Sequence, residues 1–179
     1  MIPALVAAAT LLAAPPHRLL SYEGTFVFDD STRHVLVEIE TRWVLASTEP
    51  VALTLDPSLR VARVILDGRR ERWARGDGAL VMVPHQKGAG DTLSVRVRYH
   101  GDPPAGGFLL WPEATSDTVT ARFHVEVPPG CRALAMGELV KVDTLPRGRT
   151  VWHFDAPGRL TVAALQAAPP PARLDPPSR

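Results

Sequence analysis

Apolar and polar residues alternate along most of the chain. The clearest stretches are VLVEIETRWVL, TLSVRVRY and VTARFHVEV, which start at Val35, Thr92 and Val119. Because successive side chains of a β-strand point to opposite faces, a period of two predicts strands with one apolar and one polar face. The residues predicted to face inward are Val35, Val37, Ile39, Thr41 and Trp43, then Leu93, Val95, Val97 and Tyr99, and then Val119, Ala121, Phe123, Val125 and Val127.

Turn-forming residues separate these stretches from shorter apolar runs. Asp67-Gly68, the segment 88–91 and Pro128-Pro129-Gly130 all favour tight reversals of the chain. With the shorter runs included, the sequence predicts about ten strands. Strands at this spacing, without helical periodicity between them, predict an all-β fold in the form of an antiparallel β-sandwich.

The two ends of the chain differ from the alternating body, which we place at residues 20–168 as one β-sandwich domain. Residues 1–16 hold a short apolar, Ala-rich run followed by Pro-Pro, which is typical of a signal peptide, although no basic residue precedes the run. A short apolar strand or the start of a helix is the alternative. A signal peptide implies an exported protein, periplasmic or secreted, and its absence a cytoplasmic one. Residues 169–179 are rich in Pro and predict a disordered tail.

The overall charge excludes some partners. The 179 residues carry a formal net charge of +1, so no global field would attract nucleic acid, and no apolar run is long enough for a stable membrane span. The single cysteine, Cys131, excludes an intramolecular disulfide and a multi-Cys zinc site. We expect Cys131 to be a half-buried apolar residue in a turn.

Residues that commonly carry catalysis or bind metals are dispersed along the chain. No HExxH, GxSxG, Walker or GxGxxG motif occurs. The six histidines stand far apart, and we interpret those on predicted strands as sheet-surface residues rather than ligands. Glu38 and Glu40 share a strand face with Arg42, which favours a solvated charge ladder over an acid–base pair. The sequence therefore predicts no cofactor, no metal site and no catalytic residue.

One segment breaks the alternation and has the composition of a binding loop. Residues 106–117, GGFLLWPEATSD, combine aromatic and acidic residues with glycines and a Trp-Pro step. Loops carry binding residues more often than strands do. Phe108, Trp111 and Glu113 are therefore the candidate binding residues, as a small aromatic and acidic patch.

Residues 55–104 resemble part of the amino-terminal β-domain of the M1 family of zinc aminopeptidases. The likeness there rests on Leu55-Asp56, on the hairpin from Val61 to Gly68, and on Ala89 to Gly101. Residues 22–54 resemble the opening of that domain, and residues 149–168 resemble its closing strands. A strand pair of the family is matched at Val125, Val127, Pro128, Gly130, Ala133, Gly137 and Leu139. The resemblance covers about residues 22–168 and implies the fold of that β-domain.

The same comparison implies no catalytic residue in this chain. The family's zinc ligands and general base belong to a catalytic domain that follows the β-domain, and this sequence contains no such domain. The family's β-domain also contributes an active-site loop with a Gln or Glu, leading into an aromatic-Pro-Cys stretch. Trp111-Pro112 matches the aromatic-Pro step, but the Gln, the Cys and the following Asp-x-Pro are absent. We therefore expect the isolated chain not to be an enzyme.

Three hypotheses for the function follow. The first is a non-catalytic β-sandwich module, binding or structural, which contacts a protein partner or a second copy of itself through a sheet face. The second is a non-catalytic part or subunit of a zinc aminopeptidase whose HExxH domain is on a separate chain. The third is a small carbohydrate- or peptide-binding domain that uses Phe108, Trp111 and Glu113.

Overall fold

The alternating stretches form long strands in the structure, a computed structural model that describes residues 17–31, 33–76, 78–102, 119–135, 137–158 and 166–168. Within these residues thirteen strands form three sheets, with a 3-10 turn at Pro146–Gly148. The strands are β1 (Arg18–Phe28), β2 (Val35–Val44), β3 (Val51–Thr54), β4 (Arg60–Leu66), β5 (Arg69–Arg70), β6 (Trp73–Gly76), β7 (Ala79–Met82), β8 (Thr92–Gly101), β9 (Val119–Val127), β10 (Arg132–Leu134), β11 (Glu138–Thr144), β12 (Thr150–Gly158) and β13 (Gln166–Ala168).

Eight strands make the large sheet, in the order β11-β12-β9-β1-β2-β8-β4-β5. Neighbouring strands in this sheet are antiparallel except β1 and β9, which run parallel in the register Tyr22 to Ala121 and Phe26 to Val125. A parallel pair needs a long crossover connection, and the chain from β2 to β8 supplies it. The large sheet is therefore mixed, which refines the antiparallel arrangement expected from the sequence.

A three-stranded sheet, β3-β7-β6, provides the second layer. Leu53 of β3 and Met82 of β7 are fully buried in one continuous core together with residues of the large sheet such as Val37 and Phe123. Every residue that the three long alternating stretches placed inward is buried. The predicted all-β sandwich is confirmed, because one apolar face of each sheet is removed from water by the other.

One polar side chain in this core has its hydrogen bonds satisfied locally. Thr41 is completely buried on β2, and its hydroxyl accepts a hydrogen bond of 2.8 Å from the indole N–H of Trp43. The same hydroxyl donates to the carbonyl of Val95 on the neighbouring strand β8, at 3.4 Å. These hydrogen bonds offset the desolvation cost of the buried hydroxyl, so a polar residue can occupy an inward-facing position on β2.

The tryptophans on strands differ in burial. Trp43 is buried, as its inward position in the alternating stretch predicts, and Trp152 is half-buried against the core. Trp73 lies on β6, the edge strand of the small sheet, and is 38% exposed. An edge strand has a neighbour on one side only, so a large side chain on it receives less cover than the same residue in a central strand.

The predicted terminal segments, residues 1–16 and 169–179, lie outside the described residues, whereas most of the predicted sandwich domain is described. Cys131 is half-buried against the core, as expected from the sequence. Among the described residues, no helix has the length and apolarity needed to cross a bilayer.

Candidate functional site

The binding residues predicted from the sequence, Phe108, Trp111 and Glu113, lie outside the described residues. The description ends at Asp102, directly after β8, and resumes at Val119, where β9 begins. The role expected for residues 106–117 therefore stays a prediction. The polar face of the large sheet, opposite the core, is described in detail and carries two clusters of ionisable side chains.

The predicted charge ladder on β2 is confirmed with a different cation. The guanidinium of Arg96 on β8 donates to Glu40 at 2.6 Å and lies 3.9 Å from Glu38. The hydrogen bond to Glu40 raises the pKa of Arg96 above its ordinary value. The side chains are about half exposed, so solvent screens their attraction and the ladder contributes little stability. The two carboxylates are held by a cation, which does not suit them for acid–base catalysis.

The first cluster is a pair of histidines on β9 and β12, called here the close pair. His124 and His153 stand directly opposite each other in the antiparallel register, with ring centroids 4.8 Å apart. Their Nδ1 atoms are 2.7 Å apart, which is a hydrogen-bond distance. The Nε2 atom of His153 lies 2.9 Å from Asp143, and Nε2 of His124 lies 3.4 Å from Glu23.

The hydrogen bonds of the close pair engage both ring nitrogens of His153 and Nδ1 of His124. Each neutral imidazole carries one ring proton, so the pair has two protons for its two hydrogen bonds. Nδ1–H of His124 donates to Nδ1 of His153, and Nε2–H of His153 donates to the carboxylate of Asp143. Asp143 also accepts a hydrogen bond of 2.6 Å from Lys141. This bond from Lys141, reinforced by the positive charge of Lys141 and the bond from His153, lowers the pKa of Asp143. The close pair is a polar ladder that crosses three strands.

The second cluster, called here the wide pair, consists of His34, just before β2, and His100 on β8. Nε2 of His34 and Nδ1 of His100 are 3.3 Å apart, which makes a long hydrogen bond. The ring centroids are 5.4 Å apart and the ring planes are tilted by 54°. On the other side of His34, Nδ1 lies 3.1 Å from the carboxylate of Asp102.

The turn before β2 holds His34 in place. The carboxylate of Asp29 accepts hydrogen bonds from the backbone N–H groups of Arg33 and His34, each at 3.1 Å, and from the hydroxyl of Ser31 at 2.9 Å. The backbone N–H of Asp29 donates to the carbonyl of His34. Burial acts to raise the pKa of Asp29, but these hydrogen bonds outweigh it and hold the pKa below its ordinary value. His34 therefore projects from a firmly hydrogen-bonded turn.

A polar cleft of about 520 Å³ lies between the β4–β5 turn and the connection from β7 to β8. Its polar groups face one another across the cleft: Lys87 forms an ion pair with Asp67 at 2.7 Å, and the imidazole of His85 lies 3.7 Å from Glu71. These contacts join two loops and leave few polar side chains in the cleft without a neighbour. The cleft therefore offers a weaker case for ligand recognition than a pocket with convergent unpaired groups.

Strand β11 exposes more apolar surface than the other long strands. Leu139, Val140 and Val142 are 43%, 58% and 42% exposed. Leu139 is paired with Phe154 and Val142 with Trp152, which belong to the core-facing side of β12. The core-facing side of the large sheet thus continues onto β11, where these apolar residues stay accessible to solvent.

The described residues contain no group of three or more His, Cys, Asp or Glu side chains arranged to hold a metal ion. The sequence pattern predicts separate surface histidines, and the structure instead brings four of them together in two pairs. The signal that would have found these pairs is strand register. His124 and His153 are neighbours only because β9 pairs with β12, and alternation within single strands does not predict which strands pair.

Comparison with known proteins identifies the fold. No protein-family model and no curated protein matches the chain. Among solved structures, an M1 zinc metallopeptidase from Deinococcus radiodurans is 19% identical with a TM-score of 0.68, and the match covers 78% of this chain and 39% of that chain. A variant of a two-domain M1 zinc metallopeptidase bound to L-arginine is 21% identical with a TM-score of 0.66, over 79% of this chain and 40% of that chain.

These matches define the class of the fold. The chain has the fold of the amino-terminal β-domain of M1 zinc metallopeptidases, which confirms the resemblance recognised in the sequence. The chain spans about 40% of the length of the solved proteins that it matches. At this identity the likeness establishes the fold, whereas function depends on the particular residues of the site.

Proposed function

We propose that this chain is a non-catalytic β-sandwich module that packs through β11 against the catalytic body of a zinc peptidase. The observation that carries the proposal is the fold, which matches about 40% of two-domain M1 metallopeptidases. A domain with this fold has a neighbouring domain in those proteins. The chain has no HExxH motif, so the chemistry would be carried out by the partner.

The exposed side of β11 supports a protein partner. Leu139 and Val142 extend the core-facing side of the large sheet and are each more than 40% exposed. β11 is also the edge strand of this sheet, so it leaves one row of backbone donors and acceptors without a neighbouring strand in the sheet order. Apolar side chains beside an open edge favour association, because a partner would remove both from water.

Affinity capture with paired variants tests this proposal. The purified chain is immobilised and exposed to a lysate of its source organism, and captured proteins are identified by mass spectrometry. We expect capture of a protein with an HExxH motif. Leu139→Lys combined with Val142→Lys should reduce this capture at least about tenfold, because two charges would be buried at the contact. Glu138→Lys, on the same strand but at a polar position, is the matched control and should retain the partner.

Two results would contradict the proposal. One is the absence of any HExxH protein from the captured set, or capture that the β11 variants leave unchanged. The other is zinc-dependent release of amino-terminal residues from peptides by the purified chain alone, which would show that it is itself a peptidase.

A further inference from the structure

We infer that the wide pair, His34 and His100, is a binding site for a zinc ion or a similar borderline divalent metal. The inference starts from the distance between the facing nitrogens. Two nitrogens 3.3 Å apart, each about 2.05 Å from a zinc ion, subtend an angle of about 107° at the metal, which is close to tetrahedral.

The protonation of His34 favours this assignment. The carboxylate of Asp102 accepts a hydrogen bond from Nδ1–H of His34 at 3.1 Å. A neutral imidazole has one N–H, so the lone pair of His34 is on Nε2, the atom that faces His100. Metal-binding histidines commonly donate their second ring N–H to a carboxylate, which orients the ring and strengthens it as a ligand. Asp102 is placed to do this for His34.

The close pair also has an orienting carboxylate, because Nε2–H of His153 donates to Asp143, so it differs from the wide pair in the distance between its facing nitrogens. Its Nδ1 atoms are 2.7 Å apart, and a zinc ion bound to both at about 2.05 Å would be forced to an angle of about 82°. The close pair is therefore a hydrogen-bonded contact, and it serves as an internal reference for the wide pair.

The type of donor selects the metal. Imidazole nitrogens suit zinc, copper and nickel, whereas calcium and magnesium prefer oxygen ligands. Two protein ligands leave the remaining positions to water, so the site would be open and exchangeable rather than a closed structural centre. Among the described residues, no third His, Cys, Asp or Glu completes a metal-binding group with this pair. Arg60, opposite His100 in the strand register, opposes a cation, and Asp102 beside His34 attracts one.

Titration of zinc into the full chain tests the inference. The protein is prepared without a polyhistidine tag, stripped with a chelator, and titrated with Zn²⁺ by isothermal calorimetry. We expect one zinc ion per chain, with affinity reduced at least about tenfold in His34→Gln and in His100→Gln. Asp102→Asn, which keeps both ligands but weakens the orienting hydrogen bond, should reduce the affinity about tenfold. Zinc should also raise the Tm of the unmodified chain, because it binds the folded state.

The controls separate this site from other donors. His124→Gln and His153→Gln, in the close pair, and Cys131→Ser, at the half-buried thiol, should each bind zinc as the unmodified chain does. The variants His34→Gln and His100→Gln replace exposed or half-exposed side chains, and an unchanged far-UV circular dichroism spectrum verifies that they fold. No binding by the unmodified chain would overturn the inference. Binding that survives both wide-pair substitutions, or that is lost equally on substituting the close pair, would overturn it as well.

Discussion

The two histidine pairs occupy the same polar face of one sheet but differ in the distance between their nitrogens. In the close pair the facing atoms are 2.7 Å apart, and in the wide pair they are 3.3 Å apart. His124 and His153 are directly opposed on adjacent strands. His34 comes from the turn before β2 and reaches His100, whose direct partner on β2 is Leu36.

The difference shows how register controls the chemistry of a side-chain pair. Residues directly opposed on antiparallel strands have neighbouring Cβ atoms, which brings the two rings of the close pair within hydrogen-bond range. A ring that arrives from a turn is free of that constraint, and the Asp29 hydrogen bonds fix His34 at a somewhat larger separation. A change of 0.6 Å (2.7 Å against 3.3 Å) thus separates a short hydrogen bond from a longer one, whose spacing fits the proposed metal ion.

The largest expected effect is a loss of folding stability from a substitution that distorts the contact between Gly137 and β12, one of the two strands that carry the close pair. Gly137 has φ +98°, and a Cβ on it would lie 2.4 Å from the backbone oxygen of Asp155 on β12. Gly137→Ala should therefore destabilise the fold by about 3 kcal/mol, from backbone strain and a contact that cannot relax by side-chain rotation. Urea unfolding followed by circular dichroism measures this. Zinc binding by the wide pair, four strands away, should be unchanged in the folded protein.

Gly130 provides the matched control for that prediction. It has φ +77°, but a Cβ on it would meet no atom within 4 Å. Gly130→Ala should cost about 1 kcal/mol, from the left-handed backbone alone. Equal destabilisation by the two substitutions would show that the contact with Asp155 does not matter.

The second prediction concerns the coupling within each pair. A double-mutant cycle with His124→Ala and His153→Ala should give a coupling free energy of about 1 kcal/mol, the usual contribution of one hydrogen bond. The same cycle on His34 and His100, without metal, should give less than about 0.5 kcal/mol, since their hydrogen bond of 3.3 Å is long and therefore weaker than the one of 2.7 Å in the close pair. Saturating zinc should raise the second coupling above the first. If the metal-free wide pair has a coupling free energy as large as that of the close pair, the two pairs do not differ in hydrogen-bond strength and the prediction is wrong.

The smallest expected effect is on the free energy of unfolding at acidic pH. Asp143, beside the close pair, has its pKa lowered by Lys141 and to a lesser extent by His153. A carboxyl group whose pKa is lower in the folded state contributes stability above its ordinary pKa of 3.8, and that contribution is lost as the pH falls through the lower folded value. In Asp143→Asn the free energy of unfolding should therefore decrease less than in the unmodified chain as the pH is lowered from about 5 to 3.

Lys141→Gln tests the cause of that shift. It removes the largest source of the lowered pKa of Asp143 and should flatten the same part of the pH profile. Zinc affinity at neutral pH should be unaffected by either change, because both residues lie on β11 beside the close pair and not beside the wide pair. A pH profile identical to that of the unmodified chain in both variants would disprove this role for Asp143.

Much of the fold was predictable because alternation depends on single strands. Val37, Val97 and Phe123 are buried where period-two alternation places them. The parallel pairing of β1 with β9 was not predictable in the same way, since it joins strands that are distant in the sequence. Exposure of Trp73 followed from the edge position of β6 in the sheet order, which local pattern does not contain.

The candidate sites were less predictable for the same reason. His34 and His100 are 66 residues apart, and His124 and His153 are 29 residues apart. The charge ladder was expected from Glu38 and Glu40, but its cation is Arg96 on the neighbouring strand rather than Arg42 on their own. Residues on one strand share a face by covalent geometry, whereas a cross-strand partner is chosen by register.

The sequence by itself determined the class of fold, the inward and outward faces of each long strand, and the likeness to the M1 β-domain. These depend on hydrophobic period and turn residues, which act over a few positions. The tertiary structure alone decided which histidines meet, how far apart their nitrogens lie, and that β11 leaves Leu139 and Val142 exposed. Distances of a few ångströms between remote residues are set by strand order and register, which arise only when the whole sheet assembles.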